Sequence, residues 1–93
     1  MSGKVTLYIS SVVSNMEVRK QQQRIKDVLS GKKIEFDEVD VSADRENLTR
    51  MREVVGDDKA LAPQIANGDS YCGNYEAFDM AVEDGALNEF LKV

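Results

Sequence analysis

Few side chains in this sequence could act as a nucleophile or a redox centre. Three serines, Ser10, Ser11 and Ser14, surround the predicted start of a helix, and Cys72 is the only cysteine among the 93 residues. A serine needs a neighbouring general base to act near neutral pH, and the sequence contains no histidine. We therefore expect Ser10 and Ser11 to be loop residues and Ser14 to be a helix cap, and we expect no enzyme activity.

The single thiol is placed differently from a catalytic one. Catalytic cysteines often lie at a helix N-terminus, where the helix dipole and free backbone donors lower the thiol pKa. Cys72 instead ends a predicted strand, next to Tyr71 and Gly73. One cysteine excludes an internal disulfide, and a chain without histidine offers no multi-cysteine or cysteine–histidine zinc site. We expect no metal and no cofactor.

The charge of the chain limits the classes of partner. Twelve Lys and Arg against seventeen Asp and Glu give a net charge of −5, which opposes binding to nucleic acid and to anionic membranes. The length suits one domain, 1–93, and 42% hydrophobic residues suit a packed core. The first residues resemble neither a signal peptide nor a membrane span. We expect a monomer in the cytosol, with the nucleus as a second location.

The first half of the chain predicts a strand and a long helix. Val5 to Ile9 is a β-rich run, and Ser14 with Glu17 forms a capping box that opens the helix. The polar run from Arg19 to Arg24 predicts the solvated face of this helix, with a protein contact as the alternative. Gly31 predicts its left-handed end.

A second strand, 34–41, completes a βαβ unit, which predicts that the two strands are parallel. The apolar parity changes within this strand, which indicates either a bulge or burial on both faces. Ser42 or Asp44 caps the next helix, which ends before Gly56. These elements are typical of an α/β protein.

The second half predicts a hairpin followed by helices. Asn67 and Gly68 form the two-residue turn between strands 64–66 and 70–72. A third helix carries Phe78, and a short helix closes the chain. The order is β-α-β-α-β-β-α with a short C-terminal helix, as in the thioredoxin-like fold with a central mixed four-stranded sheet flanked by helices.

The segment from Ala62 to Glu76 carries a more specific resemblance. It is similar to the glutaredoxin segment in which a cis-proline strand leads to a glycine-rich helix start and an acidic residue. Where glutaredoxins have reactive cysteines, however, this chain has the run from Ser10 to Val13. Over its whole length the chain closely resembles the Src-homology-3-domain-binding glutamic-acid-rich-like proteins. The residues that carry this resemblance are Met1, Ser2, Gly3, Tyr8, Gln21, Gln22, Gly31, Lys32, Val39, Asp40 and the block from Pro63 to Phe78.

The glutaredoxin resemblance implies a vestigial groove for glutathione or an extended peptide. It implies a cis bond before Pro63 that presents the backbone of Ala62, backbone donors near Gly73 and Asn74 for a carboxylate, and Glu76 facing an amino group. Without the cysteine that would hold it covalently, we expect any glutathione binding to be weak.

The resemblance predicts a glutaredoxin-like domain that lacks the active-site cysteines. Its expected function is that of a small cytosolic modulator of glutaredoxin activity or a protein-interaction adaptor, with partners the sequence does not identify. The family name points to Src-homology-3 domains, but these read two spaced prolines and Pro63 is the only proline, so simple binding of such a domain is not expected. The alternative uses Cys72, either in weak glutathione-dependent chemistry or as a redox-sensitive switch.

Overall fold

A computed structural model describes residues 4–93, so the Met1-Ser2-Gly3 start lies outside the described residues. The elements are β1 Val5–Ile9, α1 Met16–Gly31, β2 Phe36–Asp40, α2 Arg45–Val55, β3 Gln64–Asn67, β4 Ser70–Asn74, α3 Tyr75–Glu83 and α4 Leu87–Leu91. As the sequence predicted, the four strands form one mixed sheet; their order in it is β2-β1-β3-β4. β1 runs parallel to β2 and antiparallel to β3, and β3 runs antiparallel to β4.

The sheet separates two hydrophobic cores. On one face, Leu7 and Ile65 pack with side chains of α1, α3 and α4, among them Ile25 and Phe78. On the other face, Tyr8 and Ala66 pack with Met51 of α2. Successive residues of a strand point to opposite faces, so the apolar runs of β1 and β3 serve both cores. The central strands are therefore buried on both sides and fix the sheet between the helices.

β4 contains an irregularity that decides which residues share a face. Ala66 pairs with Tyr71 and Ile65 pairs with Gly73, so Cys72 is an extra residue in the ladder. Such a β-bulge places two consecutive residues opposite one. Cys72 packs against the core that contains Ile65, and a Cβ added to Gly73 would contact Ala77 and Phe90. Both residues therefore face the α3 and α4 side.

The helix boundaries correct two predictions. Asn15, and not Ser14, caps α1, because its side-chain oxygen accepts from the backbone N–H groups of Glu17 at 2.8 Å and Val18 at 3.3 Å. Gly31 is the last helical residue and is not left-handed; the positive φ of 58° falls two residues later, at Lys33.

In α2, the structure resolves the alternative that the sequence left open. Asp44 is the cap, since its carboxylate accepts from the N–H of Glu46 at 2.9 Å. The helix ends before Gly56 as predicted, and Gly56 itself is left-handed, with φ of 81°.

The second strand is shorter than predicted and has no bulge. Five consecutive residues of β2 pair regularly with β1, and Val41 lies beyond the strand. Phe36 packs against one core and Val39 against the other. The change of parity thus reflects apolar contacts on both faces of an edge strand.

The hairpin turn is also displaced by one residue. Gly68 and Asp69 form the turn, because Asn67 belongs to β3 and pairs with Ser70. The buried amide of Asn67 donates to the carbonyls of Leu91 at 2.9 Å and Lys92 at 3.1 Å. Its role is therefore to hold the C-terminal helix against the sheet.

Among residues 4–93, none of the helices combines the length and the apolar character that crossing a membrane requires.

Candidate functional site

One end of the sheet gathers the segments in which the sequence placed chemistry. β1 ends at Ile9, and Tyr8 pairs with Gln64, the first residue of β3. Gln64 pairs on its other side with Asn74, the last residue of β4. The loop that follows β1, the Ala62-Pro63 segment and the start of α3 therefore lie at the same end.

The loop after β1 is held by a buried side chain of α1. The backbone N–H of Ser10 donates to Gln22 Oε1 at 3.0 Å, and Gln22 Nε2 donates to the Ser10 carbonyl at 3.2 Å. The side chain of Gln22 is only 7% exposed, so its two bonds satisfy polar groups that the burial would otherwise leave without partners. The prediction that the whole Arg19 to Arg24 run is solvated is wrong at this residue.

The next residue of the loop is held by β2. Asp40 Oδ1 accepts from the backbone N–H of Ser11 at 3.2 Å, from the N–H of Ser42 at 2.9 Å and from the Ser42 hydroxyl at 2.6 Å. Hydrogen bonds from the two serines hold the pKa of Asp40 well below its ordinary value. The Ser11 and Ser42 hydroxyls also lie 3.1 Å apart. The main chain at Ser10 and Ser11 is thus fixed, and the carboxylate beside Ser11 has its pKa held too low to serve as a general base near neutral pH.

A groove lies at the same end of the sheet, around the Ala62-Pro63 bond, which is cis as the glutaredoxin resemblance implied. Its volume is about 430 Å³, and its walls come from the segment between α2 and β3, from β4 and from the first turn of α3. A partly buried network joins three of its lining residues: Gln64 Nε2 donates to the Leu61 carbonyl at 2.8 Å, and the Tyr71 hydroxyl donates to Gln64 Oε1 at 2.6 Å. Burial raises the pKa of Tyr71, which keeps the hydroxyl protonated as a donor.

The groove brings together four of the six residues that the sequence singled out. Ala62, Pro63, Asn74 and Glu76 all line it. The side chain of Asn74 caps α3 by accepting from the N–H of Ala77 at 3.0 Å, so its oxygen is already engaged.

The two remaining residues, Gly73 and Cys72, lie on the other face of β4. A Cβ at Gly73 would come within 2.8 Å of both Ala77 Cβ and Phe90 Cε1, so the glycine permits close packing of α3 and α4. The Cys72 thiol is half-buried against the first core, and burial raises its pKa. A raised pKa lowers the thiolate fraction near neutral pH, the opposite of what a nucleophile needs. The site therefore lacks the thiol that the sequence offered as an alternative.

Three side chains of the site were missed by the sequence analysis: Gln22, Asp40 and Tyr71. A signal for Gln22 was available, because it lies three residues before Ile25 and seven before Leu29, on the apolar stripe of α1. No comparable periodicity marks Asp40 or Tyr71, whose partners come from distant segments.

The part of the chain that the structure describes contains no group of side chains suited to binding a metal ion. Within residues 4–93 there is no cluster of three or more Cys, Asp or Glu side chains that could hold an ion.

The fold is similar to that of several solved structures. Actin interacting protein Aip5 of C. albicans superposes with a TM-score of 0.77 at 25% identity, over 95% of this chain and 87% of that chain. The glutaredoxin of Brucella melitensis superposes with a TM-score of 0.68 at 27% identity, over 98% and 90% of the two chains. The fold is therefore thioredoxin-like, of the glutaredoxin type.

Sequence comparison is more specific. The Drosophila melanogaster protein described as "SH3 domain-binding glutamic acid-rich protein homolog" is 38% identical, over 94% of this chain and 63% of its own length. The chain thus spans less than two thirds of that relative. The model of the family described as "SH3-binding, glutamic acid-rich protein" matches residues 3–93. The chain belongs to this family of SH3-binding, glutamic acid-rich proteins.

Proposed function

We propose that residues 1–93 act as one glutaredoxin-like domain without catalytic activity, a small cytosolic modulator of glutaredoxin activity or a protein-interaction adaptor. In this proposal the groove around Pro63 receives an extended segment of a protein partner. The nucleus is a second location in which the same binding could take place. The domain needs no metal or cofactor for this role.

The proposal rests on one observation: the loop after β1 keeps a fixed main chain but carries no thiol. Gln22 makes two hydrogen bonds with the main chain of Ser10, and Asp40 accepts a third from the backbone N–H of Ser11. The groove at the same end of the sheet is also ordered, by the bonds of Gln64 with Leu61 and Tyr71, and a rigid surface loses little conformational entropy on binding. Without a nucleophile the loop does not support turnover.

The alternative, redox chemistry at Cys72, is less well supported. The thiol packs on the α3 and α4 side of β4, away from the groove, and burial raises its pKa. Glutathione held without a covalent bond would rely on a few solvent-competed hydrogen bonds, each worth about 1 kcal/mol net. Glutathione binding at Ala62, Pro63, Gly73, Asn74 and Glu76 is therefore proposed to be weak, near the millimolar range, for which about 4 kcal/mol is enough.

Names of the relatives suggest two kinds of protein partner. The Drosophila relative is named for binding SH3 domains and the C. albicans protein for interacting with actin. SH3 domains read polyproline helices, and Pro63 is the only proline in this chain and is buried. We therefore propose that partners bind through the groove and that simple docking onto an SH3 domain is not its mode.

A first experiment tests the absence of catalysis. The chain is assayed for glutathione-disulfide oxidoreductase activity alone, and then added to an active glutaredoxin to measure modulation. We expect no turnover by the chain itself. Turnover that disappears in Cys72→Ser would overturn the proposal in favour of the enzyme.

A second experiment tests the groove as the binding surface. A photo-cross-linking amino acid replaces Leu61, which is 71% exposed at the groove, or Val93, which is 56% exposed and lies outside it. Both positions tolerate a new side chain because neither is packed. We expect partners to be captured from position 61 and competed away by unlabelled chain. Equal capture from position 93 would show that the groove is not the binding surface.

A further inference from the structure

A second cavity continues the groove along the surface between α1 and α3. Its volume is about 420 Å³, and it shares Gln21, Tyr75 and Glu76 with the first cavity. Shared walls make the two cavities one elongated groove, which we call the composite groove. It runs from the cis Ala62-Pro63 bond at one end to Met80 and Glu83 at the other.

The middle of the composite groove is held rigid by a link between the two helices. The Arg24 guanidinium donates to the Tyr75 hydroxyl at 2.8 Å and to the Asp79 carboxylate, and it lies 5.9 Å from the Tyr75 ring centroid. The Tyr75 ring in turn packs 6.3 Å from the ring of Phe78 in the core. This link fixes Tyr75 and neutralises the charge of Asp79.

Each end of the composite groove exposes a large apolar side chain. Leu61 is 71% exposed at one end and Met80 is 67% exposed at the other. A single exposed apolar residue is ordinary on a protein surface. Two of them within one continuous groove, with the ring of Tyr75 between, offer separated contacts to the alternate apolar side chains of an extended segment.

The charges of the composite groove point to the chemistry of its occupant. With Asp79 paired to Arg24, the remaining carboxylates on its walls are Asp57, Glu76 and Glu83. Lys59 is the one cationic side chain that lines it among the residues that the structure describes. Three carboxylates against one ammonium, on a chain of net charge −5, attract cations and repel anions. Glutathione, with two carboxylates and one ammonium, is itself anionic at neutral pH.

We propose that the composite groove binds an extended protein segment in which basic and apolar side chains alternate. Apolar side chains contact Leu61 and Met80, and lysine or arginine side chains pair with Glu76 and Glu83. This rests on the proposed function and gives the partner its chemistry: a cationic segment, which the composite groove prefers to an acidic peptide and to the weakly binding glutathione. Charged groups across an interface act mainly on specificity and association rate, so this pattern selects among partners.

The test uses three peptides that are blocked at both ends and repeat a unit of three residues. Serine and leucine are constant in this unit, and the third residue is lysine in one peptide, glutamine in the second and glutamate in the third. Each is titrated into the isotope-labelled full chain at low salt. We expect the lysine peptide to bind most tightly and to shift the amide signals of Ala62, Tyr75, Glu76, Ala77 and Met80 together. We expect the glutamate peptide to bind most weakly. We also expect added salt to lower the affinity for the lysine peptide, because salt screens exposed charges.

Charge-neutral variants locate the interaction. Glu76→Gln combined with Glu83→Gln should weaken the affinity for the lysine peptide roughly fivefold, because each exposed ion pair contributes only a fraction of a kcal/mol. Glu35→Gln with Glu89→Gln also removes two exposed carboxylates, both outside the composite groove, and serves as the matched control. Equal weakening by the control would overturn the inference, since it would show a general field effect.

Two further outcomes separate this inference from the proposed function. If the glutamine peptide binds as tightly as the lysine peptide and shifts the same signals, charge selection is refuted while the groove remains a peptide site. If the lysine peptide binds selectively but cross-linking from position 61 captures no more than from position 93, the inference stands and the proposed function fails.

Discussion

Gln22 holds the main chain of Ser10 from both sides, accepting its N–H at 3.0 Å and donating to its carbonyl at 3.2 Å. Just past the end of β1, the side chain of Gln22 in α1 thus makes the two hydrogen bonds that a neighbouring strand would otherwise make with Ser10. The loop that a glutaredoxin would use for its thiol is anchored here by an amide.

Removing this amide should destabilise the chain. Gln22→Ala leaves the N–H and carbonyl of Ser10 without partners in a partly buried place, at a cost of about 1–3 kcal/mol for each unsatisfied group. We expect the free energy of unfolding, measured in urea, to fall by about 2–4 kcal/mol. Gln23→Ala is the matched control, because Gln23 is exposed and bonds only Asp27; a loss as large in the control would contradict the assigned role.

The depressed pKa of Asp40 predicts a dependence of stability on pH. The pKa of Asp40 is lower in the folded chain than in the unfolded chain. Its contribution to the free energy of unfolding is therefore complete above the unfolded pKa and is lost as pH falls toward the folded pKa. We expect unfolding free energy to fall from about pH 4 downward, since an unfolded aspartate titrates near 3.9.

Asp40→Asn should flatten this part of the pH profile, and Ser42→Ala should raise the pKa of Asp40 measured by carbon NMR. Asp58→Asn, at an exposed loop position, serves as the control for a change of net charge. A profile that keeps its full slope in Asp40→Asn would show that other carboxylates are responsible.

Two glycines should respond to alanine in opposite ways. In Gly73→Ala the new Cβ would meet Ala77 and Phe90 at 2.8 Å, and overpacking costs about 1–3 kcal/mol. In Gly31→Ala nothing lies within 4 Å of the new Cβ, and the residue ends a helix without a positive φ. We expect that variant to be neutral or more stable by up to about 1 kcal/mol. Thermal unfolding of the two variants measures the change in stability caused by each alanine. Equal destabilisation would contradict the close packing of Gly73 against Ala77 and Phe90.

The half-buried thiol predicts slow alkylation. Because burial raises the pKa of Cys72, its reaction with iodoacetamide near pH 7.5 should be slower than that of a small free thiol. Val12→Cys, made in a Cys72→Ser chain, places the thiol at a position that is 75% exposed. We expect this thiol to react faster than Cys72; the reverse order would show that Cys72 is the accessible nucleophile.

The sequence predicts the order of elements well, because each depends on local signals. The apolar runs of β1 and β3 and the helix end before Gly56 follow from residue type and neighbours, whereas the cis bond at Pro63 was implied by the glutaredoxin resemblance. Ser14 fails because Asn15, one residue later, is an equally good cap, and a capping pattern alone does not choose between neighbours.

The candidate site was harder to predict because its polar bonds are long-range. Asp40 bonds Ser11 across 29 residues, and Arg24 bonds Tyr75 across 51. Sequence spacing carries no information about such pairs until the sheet order brings their segments together. Gly73 shows the same limit, since its need for close packing arises from Phe90 in another helix.

The extra residue in β4 lets this strand vary in length without exchanging its faces. Tyr71 and Asn74 both line the groove although they are three positions apart, because Cys72 and Gly73 share the opposite face. Deleting Cys72 would leave Tyr71 and Asn74 two positions apart in a regularly alternating strand, so both would still face the groove. A relative with an alignment gap at position 72 would therefore keep the groove and lose only the thiol that packs against the opposite core.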